Sequence, residues 1–275
     1  MPKGHGLAGH YPKHATQQSH ISVAMRLSHA LASNSFIVDA KEPMIRTRMK
    51  ILAIIPAYNE EECLEATVRN LEATCPTVDY LVVNDGSTDR TREICEQRGF
   101  RCVNLPINTG LSSGFQTGMK YAERHGYDAA VQFDADGQHL PQYIPVMAQA
   151  MEQNDAAVVV ASRTLANEAP TGARGAGSKL ISALIRITTG KRITDPTSGM
   201  RMYNAQLIRE FAHGFDLTPE PDTLAMLARR GETIVEVPAH MEERQGGESY
   251  LNLPHIVRYM ARTCLSILMF QWFRK

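Results

Sequence analysis

Two aspartates one residue apart, Asp134 and Asp136, close the apolar run 129–133 in the stretch Val131-Gln-Phe-Asp-Ala-Asp-Gly-Gln-His139. On an extended chain, residues two apart point to the same side, with Cα atoms roughly 6–7 Å apart. Both carboxylates can then address one ligand. Magnesium takes oxygens at about 2.1 Å and keeps waters and phosphate oxygens in its shell. One aspartate can therefore hold the metal while the other meets a neighbouring part of the ligand, or reaches the metal through water. Gly137 lets the chain turn away at the strand's carboxyl end, where open α/β sheets place their ligands. Asp-x-Asp alone is equally a solvated acidic turn, so the elements around it decide.

Those elements form a regular series. Ile51-Leu-Ala-Ile-Ile55 is a continuous apolar run of the kind that makes a buried parallel strand, and it stops at Pro56-Ala-Tyr-Asn-Glu-Glu61. A helical pattern follows to about Ala73, then Tyr80-Leu-Val-Val83 ends in Asn84-Asp-Gly-Ser-Thr-Asp89. Asp85-Gly86 makes a turn, and Ser87 or Thr88 is placed to cap the next helix. Cys102-Val-Asn-Leu105 leads into Asn108-Thr-Gly110 and a helix to about Arg124; the strand before Asp134 is fourth and Ala156–Ala161 is fifth. Strand, loop and helix in repetition predict an α/β fold, a mostly parallel sheet flanked by helices and joined by right-handed crossovers. Tyr58, Asn59, Glu60, Asp85, Asp134, Asp136 and Arg163 all fall just beyond strand ends, a polar crescent suited to a nucleotide. Neither G-x-G-x-x-G nor a P-loop is present, so a diphosphate would need a metal and arginines for neutralisation.

Bulk properties narrow the classes. With 275 residues, 29 Lys/Arg and 29 Asp/Glu, the chain can bury a full core and has no overall basic field to suggest nucleic acid. The five cysteines are odd in number and form no C-x-x-C pair, which reads as reduced thiols in a cytoplasmic protein. Residues 1–48 carry a net +4, leaving −4 elsewhere, and hold five of the ten histidines at irregular spacing. That composition predicts a disordered extension. It equally fits an overlong start, since Met49 directly precedes the first strand. The expected organisation is this extension, a catalytic domain over 49–253, and an amphipathic C-terminal helix over 254–275.

In this order Ile55-Pro-Ala-Tyr-Asn-Glu-Glu61, Val83-Asn-Asp-Gly-Ser-Thr-Asp89, Asn108-Thr-Gly110, Asp134-Ala-Asp-Gly-Gln138 and Asp195-Pro-Thr-Ser-Gly-Met-Arg201 resemble the family 2 glycosyltransferases of GT-A fold. The likeness covers about residues 49–260 and is nearest to the dolichyl-phosphate mannose synthase and bacterial polyprenyl-phosphate sugar transferase branch. It implies an inverting, metal-dependent transferase moving a sugar from a nucleoside-diphosphate sugar to a polyprenyl-phosphate or cell-surface glycan acceptor. Pro56, Tyr58 and Glu60 would line the base and ribose pocket, and Asp85 would accept a hydrogen bond from the base. Asp134 would approach the ribose or diphosphate, Asp136 and Gln138 would bind magnesium or manganese, and Arg163 would lie near the diphosphate. Glu220 or Asp222 stands where relatives carry an acidic residue on the acceptor side, and Asp195 would approach the sugar or acceptor. A hydroxyl acceptor would need one of these three as general base; a phosphate acceptor is already anionic. Arg244, Gly247 and Ser249 match a phosphate-clamping loop of relatives, but Tyr250 stands where a lysine is usual, so Arg244 would clamp alone. Asn84 and Met200 are further departures.

The second half carries two more expectations. Thr171-Gly-Ala-Arg-Gly-Ala-Gly-Ser178 reads as a flexible glycine-rich loop before a helix from about Lys179 to Thr188, and Val235-Glu-Val237 as a further strand. Thr263–Phe273 is uncharged for only eleven residues, against the roughly twenty that span a bilayer. With Arg258, Arg262, Arg274 and Lys275 around it, the C-terminal helix suits a membrane surface or a small membrane-protein partner, which would make the protein peripheral on the cytoplasmic face. Two other readings compete: a catalytically idle nucleotide-binding scaffold, and a sugar-phosphate nucleotidyltransferase. The second is weakened because no glycine-rich basic loop follows the first strand.

Overall fold

A computed structural model describes residues 49–214, 217–243 and 253–269. The strands are β1 (Ile51–Ala57), β2 (Asp79–Asn84), β3 (Cys102–Asn104), β4 (Ala129–Gln132), β5 (Val158–Ser162), β6 (Arg201–Asn204) and β7 (Ile234–Pro238). The helices are α1 (Leu64–Thr74), α2 (Thr91–Arg98), α3 (Leu111–Arg124), α4 (Tyr143–Asn154), α5 (Gly172–Thr189), α6 (Ala205–His213), α7 (Pro221–Arg229) and α8 (Leu253–Met269). One seven-stranded sheet has the order β3-β2-β1-β4-β6-β5-β7.

Side-chain alternation along β1 divides the core into two layers. Ile51, Ala53 and Ile55 pack with Leu64, Val68 and Leu71 of α1 and Ile144, Met147 and Met151 of α4. Leu52 and Ile54 face the opposite way, among Phe115 and Met119 of α3, Ile181 of α5, Phe211 of α6 and Leu224 of α7. All these side chains are essentially inaccessible, which is why β1 is apolar on both faces. Pairing is parallel except at β6, which runs antiparallel to both β4 and β5. That strand is not evident in the amino-acid pattern. Its four residues include a buried arginine, so neither alternation nor an apolar run marks it.

Two local expectations are corrected. The 171–178 stretch is not a loop; from Gly172 it forms the first turns of α5. Gly175 and Gly177 serve close packing: a Cβ on Gly177 would stand 2.7 Å from Met260 Sδ of α8, so the small residue lets the two helices meet. Ser87 and Thr88 do not cap α2 either. Asp89 Oδ1 receives the Thr91 N–H at 2.9 Å, while Ser87 Oγ accepts from the Asn59 N–H at 3.0 Å.

α8 lies against α5 and α7. No helix among the described residues is long and apolar enough to cross a membrane. Residues 1–48, with the expected extension, lie outside the described residues, as do 270–275 and their terminal cations.

Candidate active site

The loops leaving β1 and β2 are laced together. Thr88 N–H donates to Asn59 Oδ1 (2.8 Å), Glu60 N–H to Thr91 Oγ1 (2.9 Å) and Glu61 N–H to Asp89 Oδ2 (3.0 Å). Asn59 takes a left-handed backbone, φ 55°, a conformation asparagine tolerates better than most residues. This clasp fixes Pro56, Tyr58 and Glu60 at one wall of a cavity of about 330 Å³, which Asp85, Asn108, Gly110, Asp134 and Asp136 also line. Six of the twelve predicted site residues thus share one cavity at the carboxyl ends of β1, β2 and β4.

Asp85 is 4% exposed. Its carboxylate accepts from Thr109 N–H and Oγ1, both at 2.8 Å, and from Gly110 N–H at 2.7 Å. It therefore holds the entry to α3, whose first turn contains no acidic residue. Three accepted bonds leave capacity for one more donor, such as a ligand N–H. Asn84, a departure from the family pattern the sequence resembles, donates from Nδ2 to Asn104 Oδ1 at 2.7 Å and accepts the Ser87 N–H at 3.1 Å. The first of these bonds needs an amide, so the departure ties β2 to β3.

Asp134 is braced from both sides. Gln132 Nε2 donates to its Oδ1 at 3.0 Å, and His139 Nε2 stands 3.6 Å from its Oδ2. The Asp134 N–H donates to His139 Nδ1 at 2.9 Å, which assigns the neutral ring's proton to Nε2, facing the carboxylate. Gly199 lies beneath the pair: a Cβ there would stand 3.0 Å from Oδ2. His139, 4% exposed, is a positioning residue to which sequence reasoning assigned no role. Its only signal was its place directly after Gln138. Asp136 accepts the Gln138 N–H at 3.1 Å in a tight turn. Gln138 is half-buried beside the strand-end loop after β7, its Nε2 donating to the Glu242 carbonyl at 3.4 Å.

Arg163 and Asp195 do come together, but as partners. Asp195 is wholly buried and accepts from Arg163 Nε and Nη2, both at 2.8 Å, from Arg163 N–H at 3.0 Å and from Thr197 Oγ1 at 3.2 Å. A carboxylate so saturated and enclosed is no general base, and the expectation that Asp195 is catalytic is corrected: it orients Arg163. Glu236 of β7 holds the same loop, accepting from Thr194 N–H and Oγ1 and from Asp195 N–H at 2.7–2.9 Å. Burial pushes the Glu236 carboxyl above its usual range. Arg201, also buried, donates to the Ser198 and Pro196 carbonyls at 2.8 Å and so pins the loop from within.

Glu220 and Asp222 sit apart from the first cavity. They line a second, about 440 Å³, with Ser112, Thr218, Arg262 and Ser266. Tyr259 Oη donates to Glu220 Oε2 at 2.6 Å and Ser266 Oγ to Asp222 Oδ2 at 2.5 Å. Both acids are thus bound by hydroxyls of α8. Burial, with the Glu220 carboxylate beside it, pushes the Tyr259 phenol up.

No group of three or more His, Cys, Asp and Glu among the described residues could hold a metal. The donor set nonetheless fits one of the diphosphate-completed kind: two carboxylates on one cavity wall, with the remaining oxygens supplied by ligand and water. Arg244 lies outside the described residues.

A parallel sheet interrupted by one antiparallel strand, with paired aspartates at a strand end beside a polar cavity, defines the class: a GT-A-type nucleotide-sugar fold. The chain belongs to glycosyl transferase family 2, whose model matches residues 52–211. It is 33% identical over 221 residues to an undecaprenyl-phosphate mannosyltransferase of Micrococcus luteus, covering 74% of this chain and 88% of that one. It is 29% identical over 229 residues to the polyprenol monophosphomannose synthase of Mycolicibacterium smegmatis, covering 76% and 83%. Among solved structures it resembles the mannosyltransferase PcManGT of Pyrobaculum calidifontis in complex with GDP-Man and Mn²⁺. That match has TM-score 0.60 and 17% identity, over 94% of this chain and 73% of that one; at this identity it bears on the fold.

Proposed function

We propose that this glycosyltransferase moves a hexose from a nucleoside-diphosphate sugar to a polyprenyl phosphate, with inversion and with a divalent metal, magnesium or manganese. The observation that carries the reading is the single cavity shared by Pro56, Tyr58, Glu60, Asp85, Asp134 and Asp136. The base and ribose lie against Pro56, Tyr58 and Glu60, with Asp85 accepting from the base. Asp136, with the Gln138 amide oxygen, would hold the metal. A divalent ion there supplies positive charge against the diphosphate as it departs. Asp134, held by Gln132 and His139, orients the ribose or diphosphate, and Arg163, held by Asp195, faces the phosphate oxygens. The acceptor attacks the anomeric carbon from the face opposite the leaving group.

Two observations support a phosphate acceptor over a hydroxyl. The relatives just described are named for undecaprenyl phosphate and polyprenol. Both candidate bases, Glu220 and Asp222, already accept hydroxyl protons from α8, and an anionic acceptor needs no base. A lipid-linked acceptor places the protein at a membrane surface.

Thermal unfolding with UDP, GDP, CDP or dTDP, each with and without manganese, tests the donor side. At about 100 times its dissociation constant a ligand stabilises by roughly 2.7 kcal/mol, a shift of a few degrees. A metal-dependent shift with one diphosphate supports the reading and names the base. No shift with any of them overturns it.

A further inference from the structure

Two loops at the carboxyl ends of neighbouring strands are tied to one another. β5 and β7 pair in parallel as far as Ser162 and Pro238, and the Ala239 N–H still donates to the Ser162 carbonyl at 3.2 Å. Beyond that point both segments leave the sheet. The loop after β5 carries Arg163 and doubles back at once. Asn167 takes a left-handed backbone, φ 64°, and the Glu168 N–H donates to the Arg163 carbonyl at 2.8 Å. From the loop after β7, His240 Nδ1 meets Glu168 Oε1 at 2.6 Å. A carboxylate only accepts, so Nδ1 carries the proton.

The same β7 loop reaches a third strand end. Glu242 N–H donates to the Gln138 carbonyl at 3.0 Å, and Gln138 Nε2 donates back to the Glu242 carbonyl at 3.4 Å. This reciprocal pair fixes which way the Gln138 amide faces. With its nitrogen turned to Glu242, the amide presents Oε1 on its other side, and oxygen is what a hard cation takes. One path, three hydrogen-bonded steps joined by short stretches of backbone, thus leads from Arg163 through Glu168, His240 and Glu242 to Gln138. It connects the residue placed at the phosphate oxygens with the one placed at the metal.

His240 is 58% exposed and Glu168 46%, and an exposed pair contributes little to the stability of a fold. Its place is what gives it weight. Tyr143 of α4 stands beside His240, ring centroids 6.5 Å apart, and Met241 packs against the first core layer, so the loop that His240 anchors is held from within as well. We infer that His240 and Glu168 are positioning residues for the donor diphosphate. Their hydrogen bond sets the loop that clasps Gln138 against the loop that bears Arg163, so that metal ligand and phosphate ligand meet one diphosphate. The inference rests on the roles proposed above for Gln138 and Arg163, and adds two residues that act only through them.

Thermal unfolding of the full chain tests it, with manganese titrated against whichever of UDP, GDP, CDP and dTDP shifts the unaltered chain. The quantity read is the manganese concentration that gives half the shift. Partners standing behind a metal ligand govern affinity about 10- to 100-fold. For an exposed pair the lower figure applies, so Glu168→Ala and His240→Ala should each raise that concentration about tenfold. Ligand-free midpoints should stay within about 2 °C of the parent. The double variant should be no worse than either single one, because both break the same contact. Glu168→Gln keeps an acceptor and His240→Asn a donor, and each should restore most of the loss. An unchanged manganese requirement in the alanine variants, additive losses in the double variant, or a ligand-free midpoint far below the parent's overturns the inference. So does a loss with His240→Ala that Glu168→Ala does not share, which would make His240 a metal ligand itself. A shift in the unaltered chain that every variant reproduces sinks the positioning pair alone, whereas no shift in the unaltered chain with any diphosphate sinks the transferase reading.

Discussion

Arg163 grips the buried Asp195 side-on, Nε to Oδ2 and Nη2 to Oδ1 at 2.8 Å each, so a residue at the end of β5 is aimed by the loop before β6. Removing one partner of a buried pair costs about 3–5 kcal/mol. Arg163 keeps 23% of its side chain exposed, which lowers the expected loss for Asp195→Asn to about 2–3 kcal/mol. Urea unfolding measures this. Unchanged stability with unchanged turnover would remove Asp195 from its positioning role.

Asp136→Asn should leave the fold intact while turnover drops on the order of 100- to 1000-fold. In thermal unfolding the variant should melt like the parent without ligand and lose the manganese-dependent nucleotide shift. A variant that keeps both the shift and its activity would move the metal elsewhere.

Glu220→Gln and Asp222→Asn report on the acceptor. A general base contributes roughly 10²- to 10⁴-fold, so with a phosphate nucleophile each amide should cost less than about tenfold. Steady-state kinetics with a short-chain polyprenyl phosphate decides. A loss of a hundredfold or more in either would point to a hydroxyl acceptor.

Glu210 of α6 pairs with Arg230, Nη1 at 2.7 Å and Nη2 at 3.0 Å. Hydrogen bonding from Arg230 holds the Glu210 carboxyl below its usual range. A depressed carboxyl stabilises the fold above its unfolded pKa, about 4.3, and that contribution fades as pH falls through the folded value. Glu210→Gln should thus unfold more easily than the parent at neutral pH, by about 1 kcal/mol for a partly exposed bidentate pair. The two should converge in acid. Denaturant midpoints across pH 2–7 check the sign; a gap that widened in acid would refute it.

The strand ends were readable because period and punctuation coincide there. The apolar run of β1 reaches Pro56 just before the strand ends at Ala57, and β4 ends at Gln132, two residues before Asp134, and the cavity follows from their adjacency in the sheet. What sequence could not carry was pairing between distant loops. Asp195 looked like a free loop carboxylate because nothing local names Arg163, 32 residues earlier, as its partner. The glycines at 175 and 177 looked flexible because Met260 of α8, against which Gly177 packs, lies more than eighty residues away in the chain.

β6 is hydrogen-bonded between β4 and β5, although both precede it in the chain. During synthesis from the N-terminus, β4 and β5 therefore emerge with a gap between them. Val131 has no neighbour on that side until Met202 arrives. Gly199, just before the inserted strand, is also what lies under Asp134 and His139. A nascent chain released through β5 holds most of the nucleotide wall but has an open sheet edge and an unsupported Asp134. The pocket is thus armed late, when a strand from the second half threads into the centre of the sheet. Long-range insertion of this kind is slow, and until it is complete the exposed edges of β4 and β5 are where this chain is most open to aggregation.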